Sequence, residues 1–130
     1  MVELRPEPVA PGPVVTGFTP TGFKVGSQRL DSGLILTAQS ALSWQPPSYQ
    51  DLKFSDIVTA LSEADRDVSA IEFLLLGSGP AMAQPSAAFR QDVARAGIGL
   101  EVMDSRAAAR TWGILRAEER QIIGAFMPLT

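Results

Sequence analysis

Cysteine and histidine are both absent from this chain. Without a thiol there is no disulfide, no thiolate nucleophile and no thiolate-held zinc or iron–sulfur cluster. Without an imidazole the usual general base and the commonest transition-metal ligand are missing, together with every serine–histidine pairing. Any chemistry falls to carboxylates, guanidinium groups, hydroxyls, Lys24, Lys53 and the single tyrosine, Tyr49. That inventory is thin for an enzyme, and no cofactor is expected. Excess charge is scarce too: 11 basic and 14 acidic residues, interspersed, leave a net charge of −3. Such a balance gives no general attraction to a phosphate backbone, so nucleic acid is not an expected partner. No stretch approaches the ~20 apolar residues of a membrane-spanning helix. The start, Met1-Val2-Glu3-Leu4-Arg5-Pro6, lacks the basic-then-apolar order of a secretory signal. Cytoplasmic residence is the expectation.

What is present describes one ordinary globular domain. The length is 130 residues, of which 45% are apolar and 19% charged. A chain of this size buries roughly 65–70% of its unfolded surface, enough for a core without covalent staples. Residues 1–13 carry Pro6, Pro8, Pro11 and Pro13 with little to bury, and read as an irregular or flexible arm. Residues 14–130 read as a single α/β domain.

From Val14 to Trp44 the sequence alternates short β-branched or aromatic runs with glycine: Val14–Phe18, Thr21–Gly26 and Gly33–Thr37. These are strand-and-turn signatures, and connections so short predict antiparallel pairing. Phe54, Ile57, Val58 and Leu61 form one apolar stripe, predicting a helix from about Ser55 to Ala64 with Ser55 as its cap. Asp65-Arg66-Asp67 reads as a solvated turn. Ile71–Leu76 is almost wholly apolar, as in a strand covered on both faces. A helix from about Ser86 follows, with Phe89 and Val93 inward and Gly97 placed to end it. In Ile98–Met103, Ile98, Leu100 and Val102 point one way, Glu101 and Met103 the other. Asp104 or Ser105 caps a helix on which Ala108, Trp112 and Leu115 share a face, and Gln121–Met127 is a last strand. Strand–helix–strand–helix–strand makes two crossover units, which predicts three parallel strands with helices covering the sheet. The fold class is therefore α/β: a mixed sheet with N-terminal antiparallel strands and a C-terminal parallel β-α-β-α-β unit.

Pockets in such sheets form outside the carboxyl ends of the strands. Two segments qualify here: Gly77-Ser78-Gly79, and Glu101 through Asp104-Ser105 into Arg110 and Thr111. The candidate ligand or partner site is thus Gly77, Ser78, Gly79, Glu101, Asp104, Arg110 and Thr111. The glycines would let a backbone approach an anion. Met82 stands where a dinucleotide-binding turn needs a third glycine or alanine, however, and Pro80 withholds an amide, so a plain turn is the better reading. Glu101 and Asp104 could hold Mg²⁺ or exchange protons, but helix capping by Asp104 is reason enough for its presence. Glu101 can pair with Arg110 or Arg106. Arg110 could grip a carboxylate inside the fold or on a partner. Ser78 lacks both a histidine and the Gly-X-Ser-X-Gly elbow of a nucleophile. Trp112 and Phe126 belong to the core, whereas Trp44 and Tyr49 beside Pro46-Pro47 are candidate surface anchors.

Three segments carry a resemblance: Ile71–Gly79, Gly97–Ser105 and Ala107–Leu115, with Glu101-Val102-Met103-Asp104 and Ala107-Ala108-Ala109-Arg110-Thr111 the least generic. Across about Val14 to Leu129 the chain resembles the bacterial relatives of mitochondrial complex I assembly factor 3, a prokaryotic family of unknown-function domains. The resemblance implies a three-layer α/β fold. It also implies protein partners from a respiratory or membrane-insertion complex, and a place in the cytoplasm or at the periphery of the inner membrane. It implies no catalytic residue, metal or cofactor. Relatives commonly carry a cysteine and an asparagine where this chain has Ala109 and Gly113, so no thiol-based role transfers. Three functions follow, in order: a non-catalytic interaction or assembly factor, a small-ligand or anion-binding module using Gly77–Gly79 and Arg110, and a carboxylate-based enzyme.

Overall fold

The computed structural model describes residues 11–63 and 71–130. Among these, eight strands and three α-helices follow in order. Strands β1 (Val15–Phe18), β2 (Phe23–Val25) and β3 (Gln28–Leu30) form an antiparallel meander. Strands β4 (Gly33–Leu36) and β5 (Ala41–Trp44) pair antiparallel in a second sheet. After a 3₁₀ turn at Tyr49–Asp51 come α1 (Phe54–Glu63), β6 (Phe73–Gly77), α2 (Ala87–Arg95), β7 (Gly99–Met103), α3 (Ser105–Ala117) and β8 (Ile122–Phe126).

The five-stranded sheet has the order β5-β4-β8-β6-β7. Strand β6 runs parallel to both β7 and β8, as the two crossover units require, and β8 meets β4 antiparallel through Leu34–Phe126, Ile35–Ala125 and Leu36–Gly124. That last ladder joins the antiparallel half of the chain to the parallel half. Both faces of the sheet are covered, which explains why Leu74–Leu76 and Ile122–Phe126 are buried without a polar break. On one face Ile35, Leu74, Leu76 and Ile123 pack with Ile57 and Leu61 of α1 and Phe89 and Val93 of α2. On the other, Leu34, Leu36, Leu75 and Phe126 pack with Ala108 and Trp112 of α3 and with Phe23 and Leu30 of the meander. The result is a three-layer α/β domain with a mixed sheet.

Local chemistry sets the helix ends. Ser86 caps α2 by accepting the Phe89 amide at 3.1 Å, and Gly97 closes that helix with φ +74°. Helix α1 starts at Phe54, the first residue of its apolar stripe and one residue before the expected start at Ser55. Ser55 lies inside it, and the cap is made instead by Asp56, whose carboxylate accepts the Lys53 amide at 2.9 Å. An acid at the third helical position reaching back in this way replaces the expected serine cap. Ala64 and the Asp65-Arg66-Asp67 turn lie outside the described residues, as do residues 1–10. Of the N-terminal arm, Pro13 is anchored, for its carbonyl accepts the Trp112 indole N–H at 2.9 Å.

Candidate functional site

Strand β6 lies between β8 and β7. The chain leaves β6 toward one edge through α2, then returns past it through α3 on the opposite face. The loops after β6 and β7 therefore part at the carboxyl ends of these strands, where α/β folds place ligand crevices. Gly77, Ser78, Gly79 and Asp104 all meet there, and the polypeptide itself fills the crevice.

The filling group is Ser105, fully buried at 0% exposure. Its hydroxyl accepts the Gly79 amide at 2.9 Å and donates to the Met127 carbonyl at 2.8 Å, while its own amide donates to the Gly79 carbonyl at 2.8 Å. Gly77 is tightly enclosed: a Cβ there would stand 2.7 Å from Ser105 Oγ and 3.1 Å from the Phe126 ring. Gly79 takes φ +106°, a conformation that favours glycine. Ser78 is committed as well. Its hydroxyl donates to the Ala81 carbonyl at 2.8 Å and accepts the Ala83 amide at 3.1 Å, and its amide donates to the Met103 carbonyl at 2.9 Å.

Of the two cap candidates, Asp104 performs the capping, accepting the Ala107 amide at 2.9 Å, and Ser105 turns inward. The first-turn amides of α3 at Ser105 and Ala107 are thereby taken by protein atoms. Glu101 is exposed on β7, Arg110 is exposed on α3 and Thr111 is half-buried. The structure does not bring Glu101 and Arg110 together, and no ion pair to either is present among the described residues. Arg106 does not pair with Glu101 either: its guanidinium stands 5.8 Å over the Phe18 ring of β1. That contact turns this flank of α3 toward the meander, away from the β7 edge where Glu101 sits. Among the described residues no group of three or more carboxylates could hold a metal ion.

Beside the crevice lies an open groove of ≈ 450 Å³ bordered by Pro46, Pro47, Tyr49, Gly79, Met127 and Pro128. Tyr49 is half-buried in its wall, and its hydroxyl donates to the Ala83 carbonyl at 2.7 Å. Burial pushes the phenol up to about 12, against the weaker opposing charge of Arg90. Trp44 is not a surface anchor: it is only 6% exposed and packs with the α1–α2 core. It occupies the inward phase of β5, and two-residue alternation would have shown this had β5 been read as a strand. Ser105 is the functional group hardest to see in sequence, since serine and aspartate both suit a helix cap.

Residues 15–127 match a family described as a protein of unknown function, DUF498/DUF598. The chain belongs to this family. Assembly factor 3 of the NADH dehydrogenase (ubiquinone) 1 alpha subcomplex from Danio rerio is 25% identical over 127 residues, covering 98% of this chain and 71% of the relative. An uncharacterised Rhodobacter capsulatus protein is 24% identical over 115 residues, covering 88% of this chain and 84% of its own. Among solved structures, a Bordetella parapertussis protein superposes with TM-score 0.76 at 27% identity, over 89% of this chain and 95% of that one. A Bordetella pertussis protein described as an Mth938-like domain gives TM-score 0.77 at 24% identity, over 98% and 93%, and shares the fold. The two positions at which the resemblance led to an expected cysteine and asparagine, Ala109 and Gly113, are structurally distinct. Ala109 is buried at 4% exposure, whereas a Cβ at Gly113 would meet nothing within 4 Å.

Proposed function

We propose that this domain works by docking other proteins and serves as an assembly factor, in the manner its zebrafish relative's name describes, for a respiratory NADH dehydrogenase or another membrane-associated complex. The observation that carries this reading is the commitment of the crevice. Ser78, Ser105, Asp104 and two first-turn amides of α3, the groups a ligand or substrate would need, are all engaged in holding two loops together. An anion would have to displace these internal hydrogen bonds, and a carboxylate mechanism would have to forfeit the α3 cap. Both alternatives draw correspondingly less support.

The edge strand β7 offers a concrete way of docking. Gly99 donates to the Glu72 carbonyl and Met103 accepts from Ser78, so these residues turn their backbone toward β6. By the alternation of a parallel ladder, Leu100 and Val102 turn their N–H and C=O groups outward. An extended partner segment can pair there, with exposed Glu101 beside it for specificity. Among the described residues no helix is long and apolar enough to cross a membrane, so membrane proximity in this reading comes through the partner.

Affinity capture from the native cell with the whole chain as bait tests the proposal. Respiratory-complex or membrane-insertion proteins should be recovered, and Val102→Pro, which removes one outward N–H from an edge where proline is tolerated, should lose them, whereas Val102→Ala, which gives up the same packing against the core but keeps the N–H, should retain them. A bait that captures no such protein, or a Val102→Pro bait that captures them equally, counts against the reading and its edge-pairing mode respectively.

A further inference from the structure

Helix α3 carries its exposed charges in an unusual order. Arg106 in the first turn and Arg110 one turn on are exposed, and Glu118 and Glu119 are exposed at the far end. A helix dipole favours the reverse, acids near the N-terminus and bases near the C-terminus. Buried Arg116 in the last turn obeys that rule, donating to the Arg120 carbonyl; the four exposed charges do not. None of the four has an ion-pair partner among the described residues. Between them stands Ile114, 64% exposed, flanked by Gly113 and Ala117.

The end of the helix adds an independent observation. Helices α2 and α3 close with the same pair of hydrogen bonds. In α2, Gly97 donates to the Ala94 carbonyl and Ile98 to that of Val93; in α3, Glu119 donates to Arg116 and Arg120 to Leu115. In α2 the left-handed position is filled by Gly97 at φ +74°, in α3 by Glu119 at φ +58°. A glutamate is thus held where glycine is favoured, at a cost in stability. Residues kept in such conformations point to function.

We propose that the outer face of α3 is a self-association surface on which a second copy of this chain packs antiparallel about a twofold axis. In that arrangement Arg110 of each copy lies over Glu118 and Glu119 of the other, Arg106 adds positive charge at the margin from its place over Phe18, Ile114 is covered near the axis, and Gly113 and Ala117 admit close approach. Antiparallel packing also opposes the two helix dipoles, so the charge order unfavourable in one helix becomes complementary in the pair. The contact is the same patch on both copies, as a twofold interface demands. It lies on a different surface from the β7 edge, so the two proposals stand or fall separately.

One helix pair covers an area at the low end for specific interfaces, so the expected dimer is weak, with a dissociation constant of roughly 10–100 μM that rises with salt. Sedimentation equilibrium of the full chain should show concentration-dependent dimerisation, weakened at least tenfold by Ile114→Ser. The decisive measurement uses two charge-reversed variants, Arg106→Glu with Arg110→Glu, and Glu118→Lys with Glu119→Lys. Each alone places like charges in apposition and should be monomeric; mixed in equal amounts they should form a heterodimer. If reversing Arg106, which contacts Phe18, disturbs the circular dichroism spectrum, Arg110→Glu mixed with Glu118→Lys makes the same test. A wild-type chain that stays monomeric, variants that still dimerise alone, or a mixture that fails to associate would overturn the proposal. So would a different protein found seated on α3 of a monomeric chain.

Discussion

The Ser105 hydroxyl stands 2.9 Å from the Gly79 amide and 2.8 Å from the Met127 carbonyl, with no solvent access. One side chain thus ties the loop after β6 to the residue that follows β8 while beginning α3. Replacing it with alanine would leave a buried donor and a buried acceptor unpaired. Each orphaned group costs about 1–3 kcal/mol, so Ser105→Ala should lower the stability measured by urea denaturation by ~2–6 kcal/mol. Gly77→Ala should also destabilise, by about 1–3 kcal/mol, because its methyl would be forced against Ser105 and Phe126.

Asp104 separates a structural from a chemical role by simple substitution. An amide oxygen caps a helix about as well as a carboxylate, whereas alanine does not. Asp104→Ala is therefore expected to cost ~0.5–2 kcal/mol, and Asp104→Asn to remain within a few tenths of the parent. Thermal melts of the two variants check this. An asparagine variant that melts like the parent but loses a measurable activity or partner would return Asp104 to the functional site.

The architecture was legible where one residue pattern served one purpose. The unbroken apolar runs of β6 and β8, the alternation of β7 and the caps at Ser86 and Gly97 all follow directly from periodicity and turn chemistry. Strand β3 was not visible because Gln28-Arg29-Leu30 has one inward residue, and its pairing with β2 depends on the turn at Gly26, φ +60°. Trp44 was misplaced because the prolines after it suggested a loop, while its side chain obeys the strand before it. In the candidate site, spacing correctly brought Gly77–Gly79 and Asp104 to one end of the sheet. It could not show that Ser105 fills the space between them, nor that Arg110 lies on a flank of α3 away from Glu101. Those are tertiary facts, set by how two helices cross opposite faces of the sheet.

Glu119 offers a stabilising change. Its backbone already has the left-handed geometry that glycine adopts without steric penalty, and α2 shows the same closure built with Gly97. Glu119→Gly should raise the stability of the monomer by about 0.5–2 kcal/mol, read as an increase in the denaturation midpoint with an unchanged slope. The same change removes one acid from the outer end of α3, so dimer affinity should fall as folding stability rises.

Tyr49 is the only tyrosine in the chain, so phenolate absorbance reports on it alone. Its hydroxyl donates to the Ala83 carbonyl, and burial raises its pKa from the usual 10.0 to about 12. The sign of the linkage follows from that direction. The folded state holds the phenol proton more tightly than the unfolded chain, so this contribution to stability is fully present below pH 10 and is lost as pH rises through about 12. An absorbance titration of the native protein should therefore show little phenolate near the ordinary tyrosine midpoint, while the same chain in concentrated urea titrates normally. Tyr49→Phe should remove the hydrogen bond to Ala83 at a cost of about 0.5–1.5 kcal/mol and speed amide exchange in the loop from Ser78 to Ala83. A native-state midpoint at the unfolded value would show that the phenol is open to water and that the groove wall is not closed by this contact.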